Sequence, residues 1–143
     1  MINFQNTLHM KSYKDLEIYK ESKRLAIDVH KLALTLPRFE LYEEGSQIRR
    51  SSKSITSMIV EGYGRRRYKA DFIKYLVFSH AECDETMVHL DFLFETESLK
   101  DKICYDSIKL GYEILRKKYI TISNGWKIIG IIFYRTKLYS FSL

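Results

Sequence analysis

The sequence of 143 residues contains only one proline, six glycines and two cysteines. So few turn-forming residues disfavour an all-β sandwich, which needs a turn signal roughly every 8–12 residues. Cys83 and Cys104 are too few for a disulfide framework, so the cysteine usage favours a reducing, cytoplasmic environment. No segment approaches the ~18–20 apolar residues of a membrane-spanning helix, and the first residues lack the pattern of a signal peptide. We therefore expect a helical, cytoplasmic domain with no membrane partner.

Charge is distributed unevenly along the chain. Lysine and arginine number 24 against 18 aspartates and glutamates, which gives a formal net charge of +6. Residues 47–70 contain seven basic side chains and one acidic side chain, Glu61, whereas residues 71–101 contain eight acidic and two basic ones. A basic block is therefore followed by an acidic block.

Hydrophobic spacing predicts four helices. Apolar or small residues recur at alternating steps of three and four over residues 18–36, 48–62, 72–93 and 105–119. This spacing is typical of the buried seam of a helix in a bundle. With short connections between the segments, the pattern predicts an all-α fold, an antiparallel up-and-down four-helix bundle.

Local signals indicate where the helices begin and end. Ser12 and Asp15 resemble a capping box at the start of the first helix, and Pro37 predicts its end. Gly62 and Gly64 predict that the second helix weakens or stops there, because each glycine costs ~1 kcal/mol in a helix interior.

These patterns divide the chain into an N-terminal extension (1–12), the bundle domain (13–122) and a C-terminal extension (123–143). Residues 125–143 change to β-branched and aromatic side chains without helical spacing. This segment is compatible with a strand, with a segment that packs on a neighbour, or with an unselected addition.

Several separated motifs resemble those of a known family. They are QIRRSSKSI at 47–55, IVEGYGR at 59–65, LPRFE at 36–40, and AECDET at 81–86 followed by His89 and Leu90. Together they resemble the four-helix bundle proteins encoded in intervening sequences of bacterial 23S rRNA genes, the S23 type, which are related to the accessory proteins of diversity-generating retroelements.

The resemblance implies a protomer that assembles into a ring-like homopentamer and has no established catalytic activity. It also implies that a basic surface contacts RNA or a nucleic-acid-associated protein, as the retroelement accessory proteins do. The motif residues to which it assigns a structural role are Gln47, Ile48, Ser54, Ile55, Ile59, Glu61 and Gly62.

The basic block supplies the candidate nucleic-acid contacts. Clustered cations bind phosphates, and the release of counterions makes such binding strong and salt-sensitive. Tyrosines among the cations offer stacking for unpaired bases. The candidates are Arg49, Arg50, Lys53, Tyr63, Arg65, Arg66, Arg67 and Lys69.

Two other interpretations of the basic block stay open. It is either a solvated face, or it pairs with the acidic third helix within one protomer or between protomers. Glu61, the lone acid of the block, is expected to be buried near Arg49 or Arg50 as a structural ion pair, with Gly62 allowing close helix approach.

The sequence does not favour an enzyme, a metal site, a cofactor or a small-molecule substrate. It contains no Gly-x-Ser-x-Gly elbow, phosphate loop or dinucleotide fingerprint. His80, Cys83 and Cys104 lack the four-ligand spacing of a zinc site, and Cys83 is expected to be a packed core thiol. Two hypotheses remain, which are a self-assembling RNA-binding bundle and a purely structural or adaptor oligomer.

Overall fold

The computed structural model describes the backbone of residues 11–139 and the side chains of residues 11–122 and 124. This part of the chain is helical and contains no strand, which confirms the predicted all-helical class. Its elements are a 3₁₀ turn Tyr13–Asp15, α1 Glu17–Thr35, a 3₁₀ turn Arg38–Leu41, α2 Glu44–Gly64, α3 Lys69–Glu95 and α4 Lys102–Tyr139. Among the described residues, no helix combines the length and apolar character that a membrane span requires.

The helix ends follow most of the local signals. Helix α1 ends at Thr35, just before Pro37, and α2 ends at Gly64, so both predicted ends are confirmed. The capping box at Ser12 is wrong as a start of α1. The Ser12 hydroxyl accepts the Lys14 N–H at 3.2 Å within the 3₁₀ turn, and extended backbone at the buried Leu16 separates this turn from α1.

The buried side of each helix follows the predicted seam. On α3 the buried residues are Phe72, Leu76, Ser79, Cys83, Thr86, Leu90 and Leu93. Burial raises the pKa of the Cys83 thiol to about 12, and its Sγ lies 3.6 Å from the Tyr112 carbonyl oxygen. The prediction of a packed core thiol is confirmed, because such a thiol forms little nucleophilic thiolate.

Small hydroxyl side chains line the contact between α2 and α3. Thr86 Oγ1 lies 2.9 Å from Ser51 Oγ, and the Ser79 hydroxyl donates to the Ile55 carbonyl at 2.9 Å. The Tyr119 hydroxyl of α4 lies 2.6 Å from Ser79 Oγ. These short side chains let the helices approach closely, and their mutual hydrogen bonds satisfy polar groups that burial removes from water.

Helix α4 continues beyond the predicted bundle boundary. Its backbone is helical to Tyr139, so residues 125–139 do not form the strand that their composition allowed. An existing helix extends easily, because each added residue gains one backbone hydrogen bond. Residues 1–10 and 140–143, together with the side chains of 123 and 125–139, lie outside the described residues.

Gly62 lies where α2 closely approaches α3. A Cβ atom built on Gly62 would lie 2.9 Å from Tyr75 Cβ and 3.4 Å from Phe72 Cδ2. The expectation that this glycine allows close approach is therefore confirmed. Gly64, two residues later, has no atom within 4 Å of such a Cβ.

We expect Gly62→Ala to lower the free energy of unfolding by about 1–3 kcal/mol, because the added methyl overpacks the α2–α3 contact. Gly64→Ala is the matched control, and we expect it to be neutral or stabilising by up to ~1 kcal/mol. Urea unfolding followed by circular dichroism measures both. Equal effects of the two substitutions would contradict the packing argument.

Candidate nucleic-acid interface

The basic corner, residues 65–69, connects α2 to α3. Arg65, Arg67 and Tyr68 are exposed in this corner, and Arg66 and Lys69 are partly exposed. The corner thus groups four of the eight predicted nucleic-acid contacts in one turn of the chain.

Aromatic rings hold two of the corner arginines. The Arg66 guanidinium carbon lies 4.0 Å from the centre of the Tyr63 ring, and Nη1 donates to the Tyr63 carbonyl at 3.0 Å. The Arg65 guanidinium carbon lies 5.2 Å from the centre of the Tyr75 ring. A ring attracts a cation through its quadrupole without neutralising its charge, so these arginines keep their full charge for an anion.

Tyr63 does not offer a ring face to a base. Its side chain is only 6% exposed, and its ring contacts Tyr13 edge-on at 6.3 Å as well as Arg66. The predicted stacking role is therefore wrong for Tyr63, because the ring is buried and positions Arg66 instead. Tyr68 is 64% exposed and provides the aromatic surface at this corner.

The remaining three candidates lie in a separate place. Arg49, Arg50 and Lys53 precede Arg65 by 12–16 residues of continuous helix, which corresponds to about 18–24 Å along its axis. Arg50 is exposed, and Lys53 lines a groove between α1 and α2. The basic block of the sequence is therefore two distinct basic surfaces.

Arg49 contacts the connection between α1 and α2. Its Nη2 donates to the Leu41 carbonyl at 2.6 Å, while Nη1 is buried and has no hydrogen-bond partner in the structure. This guanidinium therefore fixes the connection rather than presenting itself to a phosphate.

A buried carboxylate, Glu40, organises the same connection. The Glu40 side chain is 4% exposed, and its oxygens accept the Glu44 N–H at 3.1 Å and the Ser98 hydroxyl at 2.7 Å. Gly45 is required beside it, because a Cβ there would lie 2.3 Å from the Glu40 carbonyl oxygen. The LPRFE motif contains Glu40, but periodicity gave no reason to expect its burial.

His89 links this region to α3. Its Nδ1 lies 2.7 Å from a carboxylate oxygen of Glu44, and its Nε2 lies 3.4 Å from a carboxylate oxygen of Glu85. The described side chains contain no group of three or more His, Cys, Asp or Glu residues suited to a metal ion. His89 thus joins the N-terminal turn of α2 to the C-terminal third of α3.

The motif residues occupy mixed environments. Ile48, Ile55, Ile59 and Gly62 are buried. In contrast, Gln47 is exposed and Ser54 partly exposed. The expected burial of Glu61 is wrong, because this residue lies outside the phase of the buried seam and is exposed.

Acidic residues of α3 pair with α4. Asp84 contacts Arg116 at 2.7 Å, and Asp91 contacts Lys109 at 2.6 Å. The hydrogen bond to Asp91 raises the pKa of Lys109, which keeps this lysine charged. Within one protomer, these two carboxylates therefore neutralise α4 rather than the basic α2.

An outer apolar face lies on the solvent side of α3. It consists of Val77, Phe78, Val88 and Phe92, all of which are exposed. These side chains lie along α3 as two pairs about 15 Å apart. Exposed apolar surface of this kind is typical of a site that another molecule covers.

A comparison with family models identifies the relatives of this chain. Residues 14–120 match the model of the family described as 23S rRNA-intervening sequence protein. The chain belongs to this family. The resemblance read from its motifs is thereby confirmed, whereas a relation to the retroelement accessory proteins stays a prediction.

A solved structure of the S23 ribosomal protein family resembles this intervening-sequence protein. It is the crystal structure of a protein with unknown function from Bacteroides thetaiotaomicron, with 28% sequence identity and a TM-score of 0.66. The similarity covers 73% of this chain and 93% of that one. No match was found among the curated proteins.

The region shared with the intervening-sequence family includes every candidate described above. It contains the basic corner, the α1–α2 connection and the outer apolar face, and it ends within α4 at residue 120.

We expect Arg49→Ala to lower the free energy of unfolding by about 1–2 kcal/mol, because the Leu41 carbonyl loses a charged hydrogen-bond donor. Arg50→Ala is the control, since it removes the same charge from an exposed neighbour, and we expect a change within about 0.5 kcal/mol. Chemical unfolding measures the difference. If Arg49→Ala leaves the free energy of unfolding unchanged, Arg49 does not fix the connection between α1 and α2.

Proposed function

We propose that this intervening-sequence protein is a non-enzymatic, cytoplasmic bundle that self-assembles and binds RNA through its basic corner. The observation that carries the proposal is that no carboxylate among the described residues pairs with Arg65, Arg66 or Arg67. The ion pairs formed among residues 11–122 and 124 include none of these three arginines. Rings hold Arg65 and Arg66 without neutralising them, so the corner retains its positive charge for phosphates.

Exposed Tyr68 adds a second type of contact. A base that unstacks from RNA gains roughly 1–3 kcal/mol on an aromatic ring. Because arginine also stacks on bases through its planar guanidinium, the corner suits single-stranded or looped RNA better than a regular duplex.

We expect Arg65→Ala with Arg67→Ala to weaken RNA binding and to reduce the salt slope by about two phosphate contacts, roughly 1.4 in log–log units. The measurement is fluorescence anisotropy with a labelled RNA hairpin that carries a single-stranded loop, between ~50 and ~200 mM salt. Tyr68→Ala should weaken binding with little change in slope, since stacking releases few counterions.

The matched control is Lys100→Ala with Lys102→Ala. It removes the same charge at the far end of α3, where Lys102 pairs with Asp106 at 2.6 Å. Equal losses of RNA affinity in both double variants would show that net charge alone determines binding. That result would contradict an RNA site at the basic corner. An absence of wild-type binding at ~50 mM salt would overturn the RNA function.

Self-assembly is supported by the outer apolar face. We propose an antiparallel protomer, since Lys118 of α4 contacts Glu17 and Glu21 at the start of α1, whereas Asp28 and Cys104 share a groove nearer the opposite ends. A face on α3 that meets a different surface of the next protomer forms a heterologous contact, and such contacts form a ring when the rotation between protomers closes. A ring-like homopentamer is the expected assembly.

We expect the wild-type assembly to have five times the protomer mass of 17.1 kDa. We expect Val88→Glu to dissociate this assembly into protomers. The new carboxylate would enter the outer apolar face, where burial of an unpaired charge is costly. Tyr42→Glu, at the 82% exposed Tyr42 of the α1–α2 connection, is the control. Light scattering coupled to size exclusion reports the mass, and a monomeric wild type would refute assembly.

A further inference from the structure

A groove between α1 and α2 has the chemistry of an anion site. Its cavity volume is about 460 Å³. This falls within the range of small-molecule pockets, roughly 300–1,000 Å³. Three lysines line it, Lys23, Lys31 and Lys53, and its lining contains no carboxylate. A groove of similar size between α1 and α4 shares Lys31 with this one but also includes Asp28 and Asp101, so its charge is mixed. Lys23 and Lys53 line the α1–α2 groove alone.

The wall between the lysines is apolar and partly open. Ala26 and Ile27 form part of the lining, and Ile27 is 46% exposed despite its size. A ligand that suits this groove therefore combines a negative group for the lysines with a flat apolar group for the wall.

His30 provides an unused hydrogen-bonding atom in the same groove. Its Nδ1 is buried and has no hydrogen-bond partner in the structure. The neighbouring hydroxyls are already engaged, because Thr56 donates to Ser22 Oγ at 3.0 Å and Ser57 donates to the Lys53 carbonyl at 3.2 Å. Buried polar atoms are normally paired, so a ligand toward which the His30 ring rotates would satisfy this nitrogen.

A row of tyrosines connects the groove to the basic corner. Tyr19 lines the groove and lies 5.0 Å from Tyr13 between ring centres, and Tyr13 lies 6.3 Å from Tyr63. Arg66 covers Tyr63, and the Lys23 ammonium lies 5.9 Å from the Tyr19 ring centre. Cations and rings thus follow one path from the corner into the groove.

We propose that this groove binds a nucleotide, with its phosphate on the lysines, its base against Ile27 and Tyr19, and a base-edge atom hydrogen-bonded to His30. The proposal rests on the proposed function where the nucleotide belongs to an RNA strand, since Arg66 at one end of the row of tyrosines and Lys23 at the other then offer phosphate contacts along that strand. A free mononucleotide has the same chemistry.

The experiment uses the full chain with AMP, inorganic phosphate, an acidic oligoglutamate peptide and labelled oligoadenylate of about ten nucleotides. Calorimetry measures the binding of AMP, and fluorescence anisotropy at ~50 mM salt measures the binding of the oligonucleotide. We expect Ile27→Glu to weaken both by at least about tenfold, because it places a like charge against the phosphate and removes the apolar wall. His30→Ala should weaken AMP up to about tenfold, as expected for one hydrogen bond.

Leu34→Glu is the matched control. It introduces the same charge on α1, at a residue that is 61% exposed and lies outside the groove lining. We expect it to change the affinity for AMP and oligoadenylate by less than twofold, because salt screens a charge at that distance. Phosphate that binds as tightly as AMP would show a simple anion site and overturn the nucleotide assignment. Oligoglutamate that displaces AMP more strongly than oligoadenylate would overturn it in favour of an acidic peptide.

Corner variants separate this proposal from the RNA function. Arg65→Ala with Arg67→Ala should weaken oligoadenylate while AMP binding is retained, which supports both sites. If the corner variant abolishes oligonucleotide binding and Ile27→Glu has no effect, the groove proposal fails and the corner stands. If AMP binds but RNA does not, the corner fails and the groove stands.

Discussion

The close contact between α2 and α3 is the constraint on which the other features depend. Gly62 lies against Tyr75, and short hydroxyl side chains such as Ser51, Ser79 and Thr86 replace larger apolar ones along the contact. Because the helices approach so closely, little room remains between them for long basic side chains. Arg50 is therefore exposed and Lys53 lines the groove toward α1, whereas Arg65, beyond the end of α2, lies over the Tyr75 ring of α3. The basic surfaces thus result from the packing.

Helical periodicity predicts the core well, because the side of a helix that faces its neighbours is both buried and repeated every three to four residues. Every seam residue predicted on α3 from Phe72 to Leu93 is buried, since each falls on the side facing α2 and α4. Connections carry no such period. The lone acid of the basic block, Glu61, is therefore the residue that the sequence singles out, whereas the acid that is buried is Glu40, between α1 and α2.

Residues of the basic block that are close in sequence are not close in the structure. Arg49 and Arg65 belong to one short motif region, yet a straight helix places them about 24 Å apart. Neither the capture of Arg49 by the Leu41 carbonyl nor the burial of Tyr63 beneath Arg66 can be read from residue types, because both depend on how the connections fold back onto the helices. Arg49 and Tyr63 thus have structural positions, whereas the basic residues of the corner, Lys53 in the groove and the exposed Arg50 remain candidates for RNA contact.

Charge pairing within the bundle explains why those two surfaces keep their charge. Carboxylates of α3 neutralise Arg116 and Lys109 of α4, and Glu17 and Glu21 neutralise Lys118. An arginine held by a carboxylate would need to break that pair before it could bind a phosphate. An arginine held by a ring needs no such exchange, because the ring face and the outer edge of the guanidinium engage different partners. A basic corner built on aromatic support is therefore preorganised for an anion, and we expect its affinity for RNA to depend on counterion release rather than on intramolecular rearrangement.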